Sequence, residues 1–274
     1  MSVVSEVVPR PASTVLLLRD GPSGLEVLMI TRNVASDFAS GALVFPGGRV
    51  DAPDGEAATL ACCRAVAGAD AAAMAFRVAG IRESFEEARV LLARPKGGNR
   101  LLSAAALDAL EAKLSARLGR APHFEDLVAS GEIEFATDLL VPFAHWITPV
   151  GPPKRFDTHF FLAPAPADQV AAHDGREAVD TLWIAPQKAV AEADAKRVTL
   201  VFATRMNLVK LARSADLAAA LAAANGAVIV TVSPELVDSP EGPLLRIPEA
   251  AGYGLTEMRA DKTVRAWKPP GSGS

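Results

Sequence analysis

The densest chemistry in the chain lies in six consecutive residues, Arg82-Glu83-Ser84-Phe85-Glu86-Glu87. In a helix, positions three and four apart share a face, which gathers Glu83, Glu86 and Glu87. Three carboxylates that close repel one another unless a cation neutralises them. A hard, oxygen-only donor set suits Mg²⁺ or Mn²⁺, with waters and a substrate phosphate completing an octahedron. Phe85 and Ala88, on the opposite side, would anchor the helix in the core. The competing reading is a solvated helix face on which Arg82 and Arg89 pair with the glutamates. The upstream segment Phe45-Pro46-Gly47-Gly48-Arg49-Val50-Asp51 shifts the balance. A strand that stops at a proline and two glycines would turn sharply there and expose a backbone carbonyl to the same ion.

These groups need a scaffold. Thr14 to Leu18 and Leu25 to Thr31 read as strands of a hairpin, with Asp20-Gly21-Pro22-Ser23-Gly24 as a loop of several residues. A third short strand covers Ala42 to Phe45. Residues 52–76, rich in Ala, Asp and Gly, read as an insertion with some helix. Ile81, Phe85, Ala88 and Leu92 recur at helical intervals and predict a helix over 79–93, ended by Pro95-Lys96-Gly97-Gly98. Further helices are expected over 101–118, 124–129, 187–192 (after Pro186), 202–212 and 217–224, and strands over 156–162, 181–184 and 228–232. Intermixed strands and helices give an α/β or α+β class.

Composition excludes several functions. Half the residues are hydrophobic, enough for a sizeable core, and the net charge of −4 gives no broad attraction to nucleic acid or anionic membrane. Cys62 and Cys63 are adjacent, which argues against a disulfide scaffold and for two small buried thiols. No signal-peptide core and no membrane span are read, so the expected location is cytoplasmic. Dinucleotide, phosphate-loop, G-x-S-x-G and H-E-x-x-H motifs are absent. The four histidines, His123, His145, His159 and His173, show no metal-ligand spacing.

Together, F-P-G-G and R-E-x-x-E-E resemble the Nudix hydrolases, whose signature is G-x5-E-x7-R-E-U-x-E-E-x-G-U. Gly48 takes the first glycine and Asp54 the first glutamate position. Arg82, Glu83, Glu86 and Glu87 match the core, but 27 residues separate Asp54 from Arg82 instead of seven. An interruption of about twenty residues is similar to the branch containing a peroxisomal coenzyme A diphosphatase. Trp146-Ile147-Thr148-Pro149, Arg155-Phe156-Asp157-Thr158 and Leu182-Trp183-Ile184-Ala185-Pro186 resemble that branch in the same order. Arg89 replaces the late signature glycine, where it could pair with Glu86, and Ser84 replaces an aliphatic residue. In the motif of coenzyme A-cleaving relatives, Ile30 and Asp37 replace a threonine and an arginine.

The resemblance implies a Nudix-type α/β/α sandwich with a mixed, curved sheet. The hydrolase domain would cover 10–198, with insertions at about 52–76 and 96–135. A C-terminal α/β extension over 199–265 would pack on it, followed by a flexible tail over 266–274. The implied reaction is hydrolysis of a diphosphate joining a nucleoside to another moiety, coenzyme A or acyl-coenzyme A among the candidates, with Mg²⁺ or Mn²⁺ as cofactor. Glu83, Glu86, Glu87 and the Gly47 carbonyl would hold metal, Glu86 and Glu87 being essential for turnover, and Arg82 would hold a carboxylate in position. Glu177 is a loop candidate for general base. Arg32, Lys154 and Arg155 suit phosphates, Phe156 and Trp146 could stack on a base or pantetheine chain, and His159 is read as structural. The partner is a small nucleoside diphosphate derivative, with a homodimer compatible with the extension. Two alternatives stand beside this: a Nudix-fold module that binds a nucleotide or protein without catalysis, and a hydrolase of a sugar, dinucleoside or nucleotide-cofactor diphosphate.

Overall fold

The computed structural model describes residues 7–32, 41–150, 152–172 and 178–259. The predicted loop at 173–177 and tail at 266–274 lie outside them. In chain order the first elements are β1 (Arg10–Gly21), β2 (Gly24–Arg32), β3 (Leu43–Val44), β4 (Gly47–Arg49), a 3₁₀ turn (Ala52–Gly55), α1 (Ala57–Leu60) and α2 (Ala71–Ala88). Next come β5 (Ala93–Pro95), α3 (Ala104–Leu118), α4 (Phe124–Ser130), β6 (Ile133–Phe135), β7 (Val141–Ile147), β8 (Phe156–Pro164) and β9 (Ala178–Ile184). The remainder are α5 (Pro186–Asp194), α6 (Phe202–Leu211), α7 (Leu217–Ala224), β10 (Thr231–Val232), β11 (Glu235–Val237), β12 (Leu244–Arg246) and β13 (Glu257–Arg259).

An eight-stranded mixed sheet runs β10-β7-β8-β1-β2-β3, with β4 also on β1 and β9 also on β2. β1 lies parallel to β8 and antiparallel to β2. Leu16, Leu17 and Leu18 are all fully buried, because the sheet is covered on both faces and a central strand then reads as continuous hydrophobics. One face carries Val15, Leu17, Leu28, Ile30 and Phe161 against Val78, Ile81 and Phe85 of α2. The other carries Leu16, Leu18, Val27 and Met29 against Met206, Leu208, Leu211 and Ala220. The result is the expected α/β/α layering.

Several elements differ from expectation. Gly21 pairs with Gly24, so the hairpin loop is only Pro22-Ser23. The glycines after Pro46 do not turn the chain: Gly47–Arg49 pairs with Thr14, Ser13 and Ala12 as a strand. Two glycines are needed there for close approach, since a Cβ on Gly47 would come within 2.5 Å of the Ser13 carbonyl oxygen. α2 begins eight residues earlier than predicted, capped by Asp70, whose carboxylate accepts the Ala73 N–H at 2.8 Å. The helix ends at Arg89, whose left-handed φ of 54° stops it well before Pro95. Arg89 pairs with Asp108 and Glu111 of α3, not with Glu86. The predicted strand over 228–232 contracts to Thr231–Val232, and Val228 is exposed. Among the described residues, no helix is long and apolar enough to cross a membrane.

A carboxylate cluster braced by one buried arginine

α2 is buried over most of its surface, between the sheet and the insertion helices, so Arg82, Glu83 and Glu87 are held inside while Glu86 stays exposed. Gly80 lets the helix approach the sheet, because a Cβ there would fall 2.7 Å from Val15 Cγ2. Ser84, fully buried, donates its hydroxyl to the Gly80 carbonyl at 2.8 Å, which satisfies the polar group standing in an aliphatic position.

Arg82 organises the site. Its Nε and Nη2 donate to the two oxygens of Asp54 at 2.9 and 3.1 Å, a two-pronged grip across the interruption. Nη1 reaches Glu83 at 2.7 Å and Glu86 at 2.9 Å, and Nη2 the Arg49 carbonyl at 2.8 Å. Asp54 is 1% exposed and also accepts the Asp51 N–H at 2.8 Å. Burial works against the charge on Arg82, but the Asp54 hydrogen bonds and the charges of Glu83, Asp54 and Glu86 outweigh it and hold its pKa above the ordinary value. Burial raises the pKa of Glu86, Arg82 opposes this, and the negative charges of Glu125 and Asp54 push it further up.

The strand β4 meets the helix end directly. The Gly47 N–H donates to Glu87 Oε2 at 2.8 Å. Val15 N–H bonds the Pro46 carbonyl and Val50 N–H the Pro11 carbonyl, both at 3.0 Å. In this alternating ladder Gly47, opposite Thr14, turns both its N–H and its C=O away from β1. A Cβ on Gly48 would lie 2.5 Å from Glu83 Oε1, so only glycine lets that carboxylate sit against the strand. Three carboxylates, those of Asp54, Glu83 and Glu86, thus share the Arg82 guanidinium, and a fourth, Glu87, is held by the Gly47 N–H. This excess of hard oxygen donors fits a divalent cation.

A cleft of about 750 Å³ opens beside the cluster, lined by Asp54, Arg82 and Glu86 and by Thr59, Phe124 and Glu125 from the insertions. Phe124 and Glu125 had no signal in the sequence beyond the helix that carries them, since nothing local ties α4 to α2. Other predicted residues lie elsewhere. Arg155 is buried and donates to the carbonyls of Thr148 at 3.0 Å and Val7 at 2.9 Å, bracing the β7–β8 connection. Lys154 is exposed beside it, Phe156 is half-buried at the start of β8, and none of the three lines the cleft. Trp146 is buried and donates to the Tyr253 hydroxyl at 2.8 Å, so it packs in the core. Arg32 closes β2, but its side chain, like Asp37 and Glu177, lies outside the described residues.

A sequence profile described as the NUDT19 Nudix domain matches residues 64–210. The acyl-coenzyme A diphosphatase NUDT19 of Gallus gallus is 28% identical over 66% of this chain and 59% of that protein. The putative nudix hydrolase 7 of Caenorhabditis elegans is 30% identical over 64% of this chain and 51% of that protein. The chain therefore spans between half and three-fifths of the length of these curated relatives. The crystal structure of a NUDIX hydrolase from Alicyclobacillus acidocaldarius superposes with a TM-score of 0.63 at 28% identity, covering 81% of this chain and 99% of that one.

Proposed function

The chain belongs to the Nudix hydrolase family, in the group described by the NUDT19 Nudix domain, and from that premise we propose that it hydrolyses the diphosphate of a coenzyme A-type nucleotide with Mg²⁺ or Mn²⁺. The observation that carries this is the Arg82-centred cluster, an oxygen-rich site at the wall of a cleft. Glu83, Glu86, Glu87 and the Gly47 carbonyl would hold the ion. When bound, it supplies charge neutralisation for the diphosphate and lowers the pKa of the attacking water.

The protein's own contribution is positional. Arg82 fixes Glu83 and Glu86 and is itself fixed by Asp54, so the carboxylates need little reorganisation on binding. The Gly47 N–H orients Glu87. Glu86, half exposed to the cleft, faces the incoming substrate. Hydrolysis adds water across one P–O bond of the diphosphate and leaves a phosphomonoester on each side of the break. The length of the cleft beyond Glu86, toward Phe124, offers an apolar surface for the group attached to the nucleotide. The 28% identity to an acyl-coenzyme A diphosphatase supports coenzyme A as that group's source.

The test is a substrate panel of coenzyme A, acyl-coenzyme A, NADH, ADP-ribose and a dinucleoside polyphosphate, each with Mg²⁺ or Mn²⁺. Products are identified by mass spectrometry, with Glu87→Gln as the control. 3′,5′-ADP and 4′-phosphopantetheine from coenzyme A in the wild type alone are the expected result. Cleavage of another substrate alone would overturn the coenzyme A assignment and leave the hydrolase. Equal turnover in Glu87→Gln would overturn the site.

A further inference from the structure

We propose that His145, Asp157 and His159 form a second cation site, separate from the box carboxylates, that takes a first-row divalent transition ion of the Zn²⁺ type. Spacing in the sequence hides this group, and the register of the β7–β8 pair creates it. His145 stands directly opposite His159, and Asp157, opposite Ile147, is two residues along the same face. One ligand atom from each of the three lies within 4.8 Å of the other two. Ligands held tetrahedrally by zinc sit roughly 3.4 Å apart, so small side-chain rotations close the triangle.

The surroundings are those of a built site. His145 Nδ1 lies 2.8 Å from the Thr231 hydroxyl of β10, while its Nε2 contacts Asp157. A partner on one ring nitrogen orients the other toward a metal. The His159 ring stacks on His145 with centroids 4.2 Å apart and packs on Phe76 of α2 at the same separation. All three residues sit on strands of the central sheet and keep some solvent access, which leaves room for a water or ligand. Two imidazoles and one carboxylate select a borderline ion over Mg²⁺ or Ca²⁺. The site is distinct from the box: Phe76 precedes Glu83 by two helical turns, about 10 Å along the axis.

The probe is Zn²⁺ or Co²⁺ added to protein carrying no oligohistidine tag. Equilibrium dialysis should give one equivalent bound through nitrogen, with Co²⁺ visible bands of low coordination number. That equivalent should persist in the Glu86→Gln/Glu87→Gln variant. It should weaken at least a hundredfold in His145→Gln and in His159→Gln, and about tenfold or more in Thr231→Val. Circular dichroism checks that each variant folds. A second readout needs no variant: long-range ¹H–¹⁵N spectra of the imidazoles should show two of the four histidines responding to Zn²⁺. Unaltered binding in the folded histidine variants, no nitrogen-ligated equivalent in the wild type, or a response from other histidines would each overturn the proposal.

Discussion

Replacing Gly48 by alanine separates the role of this site in chemistry from its role in packing. The added methyl would fall 2.5–2.7 Å from the carboxyl atoms of Glu83, where ordinary contact begins at 3.4 Å, so the carboxylate must retreat by about 0.9 Å. It has little room, being buried and held by Arg82 at 2.7 Å. Overpacking of this kind costs roughly 1–3 kcal/mol, and a flexible side-chain end places it near 1. That lowers Tm by about 2–4 °C in a domain of this size. If Glu83 holds metal as proposed, a displacement of about 1 Å costs on the order of a hundredfold in rate, close to 2.7 kcal/mol of barrier. Thermal melts and kcat/KM at graded Mg²⁺ should therefore show a small stability loss beside a large activity loss. Gly47→Ala should cost more stability, because its Cβ meets backbone, at 2.5 Å from the Ser13 oxygen and 2.8 Å from Thr14 Cα. It should lose activity as well, because the displaced strand carries the N–H that holds Glu87. Gly48→Ala activity within threefold of wild type at every Mg²⁺ concentration would refute the reasoning.

Three further predictions concern the frame of the site. Arg82→Met strands the buried Asp54 carboxylate and should cost about 3–5 kcal/mol in urea unfolding, with partial recovery when Asp54→Asn is added. Arg89→Gly should be more stable than Arg89→Ala by about 1 kcal/mol, since both lose the α3 ion pairs and only alanine keeps the left-handed strain; equal unfolding midpoints would contradict it. Burial, then the neighbouring Cys62 and Glu134 charges, pushes the Cys63 thiol up to about 12. At pH 8 its alkylation in the folded protein should run roughly a thousandfold slower than for a thiol near 9, as followed by mass spectrometry. The sign for stability follows: the folded state favours the protonated thiol, so stability contributed below the unfolded pKa is lost as pH rises from about 9 toward 12.

The carboxylates were legible because Glu83, Glu86 and Glu87 follow helical spacing within one segment, and the strand–glycine run upstream has its own local signature. The Asp54–Arg82 grip follows only from the alignment of a split motif, since the two residues lie 28 apart. The first turn of α2 is three exposed alanines, Ala71 to Ala73, so no apolar period marks where the helix starts. β5 and β6, three residues each, are too short for a pattern. Arg89 in the left-handed cap is invisible to propensity, which places glycine there. Glu125 and the His145–Asp157–His159 group depend on which elements meet, and that is decided by tertiary packing and strand register.

The grip of Arg82 on Asp54 also has a bearing on how the polypeptide between them can vary. Both ends of that segment are tied at one point, 2.9 Å apart. Closing a loop of 27 residues instead of seven costs only about 1 kcal/mol more. Only the part before α2, residues 55–70, can be lengthened or shortened with small thermodynamic consequence, because residues 71–81 are the first turns of α2 and carry Val78 and Ile81 in the core. Grafting a foreign segment between Gly55 and the Asp70 cap, where Thr59 contributes to the cleft wall, is thus a route to a new substrate preference that leaves α2 and its carboxylates in place.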